Sequence, residues 1–76
     1  MYLAIKEVKP LSDYFLLLRF ENGEERKLDM KPFLQSGIFR ELIDVNLFNT
    51  VRVSFDTIEW ANEADLDPEI LYQYSV

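Results

Sequence analysis

Trp60-Ala61-Asn62-Glu63-Ala64-Asp65-Leu66-Asp67-Pro68-Glu69-Ile70-Leu71-Tyr72-Gln73-Tyr74-Ser75-Val76 reads as a strand end, a turn, a helix cap and a docking face in unbroken succession. Asp67 is an N-cap type, Pro68 suits a first helical position that has no use for an N–H, and Glu69 puts negative charge in the first turn, where the helix dipole favours it. Leu66 and Leu71 then fall at the two positions of a hydrophobic staple. The spacing predicts a helix from Pro68 to about Ser75. Two turns are too few for stability in isolation, so Ile70, Leu71 and Tyr74 are expected to be held against a sheet that includes Trp60. Trp60, Leu66, Asp67, Pro68 and Leu71 therefore form a structural signature.

Working outward from that stretch, Thr50 to Phe55 alternates, with Val51, Val53 and Phe55 expected inward and Arg52 and Ser54 outward. After a turn near Asp56-Thr57, Ile58 and Trp60 continue the pattern with Glu59 exposed, which makes a hairpin. Ser36 is a plausible cap for a helix over Gly37 to Ile43, whose Ile38, Phe39, Leu42 and Ile43 have the spacing of one buried face. Leu47 and Phe48 then anchor the connection. Pro32 predicts a turn or short helical turn after Asp29.

Tyr14 to Phe20 is the most apolar run and reads as a central strand buried on both faces. Asn22-Gly23 marks a type I′ hairpin. A two-residue loop would pair Glu21 with Glu24, Phe20 with Glu25, Arg19 with Arg26, Leu18 with Lys27, and Leu17 with Leu28. Tyr2 to Lys9 is a first strand, with Val8 out of phase with Leu3 and Ile5, as at a bulge. Two hairpins and two short helices make one α+β domain over residues 1–76 with a mostly antiparallel sheet.

Composition excludes several chemistries. Among the 76 residues there is no cysteine and no histidine, which removes thiolate chemistry, disulfides, the commonest general base and the commonest metal ligand. A chain this short buries only about 60% of its unfolded surface, so dense packing of its eleven aromatic residues has to supply stability. The N-terminal residues lack the pattern of a signal peptide, and no run reaches membrane-spanning length, so a cytoplasmic location and no membrane partner are expected.

The net charge of −6 is unevenly spread: residues 1–40 carry +1, whereas residues 41–76 carry eight acids against Arg52 alone, a balance of −7. That half repels phosphate, so direct nucleic-acid binding is not expected. Asp56, Glu59, Glu63, Asp65 and Glu69, with Tyr72, are the candidate partner-binding residues for a basic protein. Asp65-x-Asp67-x-Glu69 is a poor calcium loop, because Pro68 interrupts it and Asp67 is already a cap. Pairs drawn from Asp56, Glu59 and Asp65 are what any acidic segment offers, so no catalytic residue, metal or cofactor is expected. Tyr14, Phe15 and Phe20 beside Arg19 and Lys27 read as strand core rather than a base-stacking platform. Trp60, Tyr72 and Tyr74 are the aromatics expected to be packed yet partly exposed.

Leu16-x-Leu18-x-Phe20-x-Asn22-Gly23-Glu24, Gly37-x-Phe39-x-x-Leu42-x-Asp44, Phe48, Ile58-Glu59-Trp60 and Ala64-Asp65-Leu66-Asp67-Pro68-Glu69-x-Leu71-Tyr72 together resemble a bacterial family, domain of unknown function 2442. Members often have Pro-Asn-Gly after the tryptophan, where this chain has Ala61-Asn62-Glu63. The resemblance implies a small α+β domain, sometimes fused to a helix-turn-helix domain and sometimes encoded beside another small protein in a suspected toxin–antitoxin pairing. It implies no activity and transfers no catalytic residue. The functional expectation is a non-enzymatic, antitoxin-like protein-binding module whose acidic half takes a basic partner. The alternative is a ligand-sensing or regulatory domain of the kind fused to helix-turn-helix transcription factors. Open strand edges and the large apolar share add the expectation of a homodimer.

Overall fold

The computed structural model describes residues 3–76; the part of the first strand expected at Tyr2 lies outside them. Strands β1 (Ile5–Pro10), β2 (Phe15–Phe20) and β3 (Glu25–Asp29) form an antiparallel sheet in that order. The β1–β2 register shifts between Ile5 and Glu7, which leaves Lys6 as the extra residue of a bulge and turns Val8 to the side of Ile5. Leu16, Leu18 and Phe20 face the core. The opposite side of β2 is only half covered: Phe15 lies under the lysine ammonium groups, 4.4 Å from Lys31 Nζ and 5.6 Å from Lys27 Nζ. The expectation of a strand buried on both faces is thus corrected. An apolar run cannot distinguish a second packed layer from a cover of long cationic side chains.

The first hairpin also departs from its expected register. Phe20 N–H donates to Glu24 O and Gly23 N–H to Phe20 O, both at 2.8–2.9 Å, closing a three-residue loop with Gly23 at φ 89°. Leu28 therefore pairs with Leu16, Arg26 with Leu18, and Glu25 with Arg19. The two-residue loop would have turned Lys27 inward beside Leu18 and set Arg19 against Arg26. The observed slip of one residue buries Leu28 and makes Arg19–Glu25 an ion pair at 2.9 Å.

Between the sheets, Lys31–Phe33 forms the expected short helical turn and Gly37–Ile43 a second one, with three residues per turn. That period aligns Phe39 with Leu42 and rotates Ile38 and Ile43 outward, to 43% and 56% exposure, so the expected four-residue buried face does not form. Ser36 makes no side-chain cap there. Asp44 does cap a helix, the unforeseen α1 (Val45–Phe48), by accepting from Asn46 N–H at 2.9 Å. Phe48 is buried, and Tyr14 packs edge-on against it with ring centroids 5.3 Å apart.

The second sheet is β4 (Arg52–Ser54), β5 (Thr57–Glu59) and β6 (Asp65–Leu66), antiparallel and in chain order; β6 was not foreseen. Val53, Ile58 and Leu66 form its inward row, and Arg52, Glu59 and Asp65 its outward row. The expected inward Phe55 is instead 99% exposed at φ 56°, because the strand stops at Ser54 and the turn through Phe55-Asp56 ends the alternation. The turn over Ala61-Asn62-Glu63 repeats the construction of the first hairpin. Trp60 N–H donates to Ala64 O and Glu63 N–H to Trp60 O, Asn62 Oδ1 accepts from Ala64 N–H as Asn22 Oδ1 does from Glu24 N–H, and Glu63 stands at φ 71° in the place of Gly23.

The two sheets meet where β1 runs beside β4, and Ile5 N–H donates to Asp56 O at 3.0 Å. Their inner faces enclose one core of Ile5, Phe20, Phe48, Ile58, Trp60 and neighbouring side chains. Trp60 is wholly buried rather than partly exposed, and its Nε1–H donates to Phe48 O at 3.1 Å. Among the described residues no buried side-chain nitrogen or oxygen lacks a partner, so no polar side chain is buried unpaired.

Helix α2 (Pro68–Tyr74) closes the core, with Asp67 Oδ1 accepting from Glu69 N–H at 3.0 Å. Its sheet partner is β3 of the first sheet, whereas Trp60 directly follows β5 of the second, although Leu71 and Trp60 share the core. Tyr74 is 58% exposed, touching Phe33 edge-on instead of facing inward. Beyond the helix, Val76 and Lys27 exchange two backbone hydrogen bonds of 2.8 and 2.9 Å, which cover the outer edge of β3.

Leu71→Ala is expected to cost about 2–5 kcal/mol, out of a total that for a small domain is about 5, and to leave the chain largely unfolded in a urea melt. Asp67→Ala should cost about 0.5–2 kcal/mol and stay folded. Glu63→Gly should raise the urea midpoint, because it relieves a left-handed backbone position worth about 1 kcal/mol or more in a non-glycine residue. An unchanged midpoint for Leu71→Ala would identify that side chain with an interface instead of the core.

Candidate partner-binding surface

Of the proposed acidic residues, Asp56, Glu59, Glu63 and Asp65 divide between two ends of the second sheet, and Glu69 lies on α2. At one end, register sets Glu59 beside Asp65, and the loop carrying Glu63 follows directly. Glu59 is half-buried and held by Arg52 at 3.2 Å; Asp65 and Glu63 are exposed and make no ion pair among the described residues. Asn62 ties this end to the preceding segment, its Nδ2 donating to Glu41 Oε1 at 2.9 Å. At the other end, Asp56 is exposed in the β4–β5 turn. Beyond the strand, Asp67 caps α2 and the exposed Glu69 lies in the first turn of that helix, off the sheet. The outward face is thus an acidic surface on paired strands, with one guanidinium that is already engaged.

Tyr72 lies elsewhere, committed to contacts inside the fold. Its ring meets Phe20 edge-on at 5.1 Å, the Arg26 guanidinium carbon lies 3.9 Å above its centroid, and its hydroxyl donates to Glu24 Oε1 at 3.0 Å. Arg26 also donates to Glu24 Oε2 at 3.1 Å and to Ser75 O at 3.2 Å. A cation over a tyrosine face with both charges hydrogen-bonded makes a latch that ties α2 to the first hairpin. Sequence reading missed this group. Only the corrected register, which turns Arg26 to the core side of β3, assembles it.

Other constellations are dispersed. Phe20 faces the core while Phe15 faces outward, and Tyr14 is tucked against Phe48, so the three rings do not form a common platform. Asp67 spends an oxygen on its cap, and among the described residues no group of three or more His, Cys, Asp or Glu is placed to hold a metal ion. A depression of about 140 Å³ lies on the outer face of the first sheet, lined by Glu7, Val8, Lys9, Leu17, Arg19 and Glu25. That is below the roughly 300–1,000 Å³ of small-molecule sites. Among the described residues, no helix is long and apolar enough to cross a membrane.

Hydrogen bonds from Asn22, then from Tyr72 and Arg26, hold the Glu24 carboxyl below its ordinary value of 4.5. The Lys31 backbone N–H does the same for Asp29, below 3.8. A carboxyl with a depressed folded-state pKa binds its proton more weakly in the native than in the unfolded chain. Its stabilisation is therefore present above the unfolded value and lost as pH falls through the folded one. The urea midpoint should decline on acidification below about pH 4.5, and Glu24→Gln should flatten part of that decline while lowering the midpoint at neutral pH. Equal acid sensitivity in parent and variant would remove the latch from this account.

No curated protein and no solved structure matches the chain. The model of the family described as "Protein of unknown function (DUF2442)" matches residues 5–76, from the first residue of β1 through α2 to Val76. With almost its whole length matched, this chain belongs to the DUF2442 family.

Proposed function

We propose that this protein is a non-enzymatic protein-binding module whose second sheet offers its acidic outward face to a basic partner. The observation that carries the reading is that Asp65 stands exposed beside Glu59 on hydrogen-bonded strands, with the exposed Glu63 in the turn just before it and Arg52 as the one cation in that half of the sequence. Charges fixed on strands lose little freedom on docking, and a surface of one sign steers an oppositely charged partner. The same sign disfavours nucleic acid. A toxin-like or other regulatory protein of basic charge is the class of partner this surface suits.

The test is affinity capture from the native cell extract at low and high salt, with the parent and with Glu63→Lys/Asp65→Lys. Exposed substitutions of this kind typically shift stability by less than about 0.5 kcal/mol, so the variant should stay folded. Basic proteins should be retained by the parent at low salt, released at high salt, and not retained by the variant. Equal retention by parent and variant, or retention indifferent to salt, would overturn the reading.

A further inference from the structure

Four asparagines occur in the chain, and two of them, Asn22 and Asn62, sit at the centre of three-residue turns built alike. Only Asn22 is followed by glycine. The backbone nitrogen of the residue after an asparagine can attack the side-chain amide carbon, and a side chain on that following residue obstructs the approach. Gly23 has no side chain, and beyond its chain neighbours no atom lies within 4 Å of where a Cβ would stand. Asn22 and Gly23 are both exposed, so water reaches them. In the second turn Glu63 fills the equivalent place.

What restrains Asn22 is one neighbour. Its Oδ1 accepts from Glu24 N–H at 3.0 Å, and its Nδ2 donates to Glu24 Oε1 at 2.6 Å. The Asn22 amide must turn out of both bonds before its carbon can face Gly23 N, whose own N–H donates to Phe20 O at 2.9 Å. The same Glu24 carboxylate anchors the latch: Oε1 also accepts from the Tyr72 hydroxyl, and Oε2 accepts from Arg26. The Asn22 hydrogen bond is the largest of the influences that hold the Glu24 carboxyl below its ordinary value. Turn and helix therefore meet at a single carboxylate.

We infer that Asn22 is a site of spontaneous deamidation, restrained by the latch and undoing it once modified. Gly23 N gives its proton to solvent and bonds to Asn22 Cγ; the Cγ–Nδ2 bond breaks, ammonia leaves with a proton from solvent, and a succinimide ring remains. Water then opens the ring at one carbonyl or the other, giving aspartate or isoaspartate. Aspartate sets a second carboxylate against Glu24 where an amide donor stood, and like charges at that distance repel. Isoaspartate routes the backbone through the former side chain and adds one carbon to a loop whose length fixes the β2–β3 register. Either product takes a partner from the group that ties α2 to the first hairpin. The site needs nothing of the acidic face at Glu63 and Asp65, so either proposal can fail alone.

The purified full chain, aged in mildly alkaline buffer at physiological temperature, should show amide-to-acid conversion at Asn22 by mass spectrometry of the tryptic fragment 20–26, with isoaspartate among the products and Asn62 intact. Glu24→Ala, which removes the carboxylate that holds Asn22 Nδ2, should convert several-fold faster. Tyr72→Phe keeps the ring against Phe20 and loses only the hydroxyl bond to Glu24, so it should stay folded and also convert faster. Asn22→Asp, made directly, should lower the urea midpoint, and that penalty should shrink in a Glu24→Gln background, where the repulsion is absent. An Asn22 that remains an amide in parent and variants alike, conversion at Asn62 matching that at Asn22, a rate unaffected by both Glu24→Ala and Tyr72→Phe, or an Asn22→Asp penalty equal in the two backgrounds would each overturn the proposal.

Discussion

Both sheets take their inward face from a three-residue turn in which an aromatic residue precedes the loop, a central asparagine accepts from the backbone beyond it, and the third residue lies at positive φ. Side chains alternate with period two, so the count of residues in such a loop decides the whole burial pattern of the strand that follows. With three residues in the first loop, Leu28 lies opposite Leu16 and Lys27 turns to solvent. With three in the second, Leu66 lies opposite Ile58 and Asp65 opposite Glu59. The core and the acidic face are therefore two consequences of one constraint. Gly23 meets it without strain, whereas Glu63 meets it against its own preference.

The same register brings Arg26 under the terminal helix. A half-buried arginine at that place would be costly if unpaired, yet it is satisfied by Glu24, by Ser75 O and by the face of Tyr72. Helix α2 is too short to hold itself, so this latch, the Leu71 side chain and the Val76–Lys27 backbone pair together fix it to β3. An outward slip of the first hairpin would lose the latch and the buried Leu28 together. Local turn chemistry, helix docking and edge protection are in this way coupled in a chain that has little core to spare.

What remains outside the core separates into surfaces of different character. The outward face of the second sheet sets Glu59 and Asp65 side by side on paired strands, with Arg52 held against Glu59. The first sheet is mixed in charge, and its Arg19 is engaged by both Glu7 and Glu25. Phe55 belongs to neither pattern. It breaks the local rule for its turn and the global rule for apolar burial at once, and such double departures mark places where folding and function make different demands.

The sequence alone determined the parts whose physics is local. The Asp67 cap with Pro68 behind it, the inward pairs Ile58 and Trp60, the β1 bulge implied by Val8, the Lys31–Phe33 turn and the split of charge all follow from residue types at fixed short spacings. Tertiary structure decided whatever depended on a choice among near-equal local options. Asn-Gly permits loops of two or three residues, and only burial of Leu28 in place of Lys27 selects three. Apolar spacing over residues 37–43 suits an α-helix, yet the chain winds tighter there and buries Leu42 while exposing Ile38 and Ile43. Alternation through Val51 and Val53 pointed Phe55 inward, and the turn needed to bring β5 back against β4 turned it out. Tyr72 had the composition of an interface residue, but its neighbours Phe20, Glu24 and Arg26 lie about fifty positions away in the chain, and no local pattern encodes a meeting that only the folded sheet arranges.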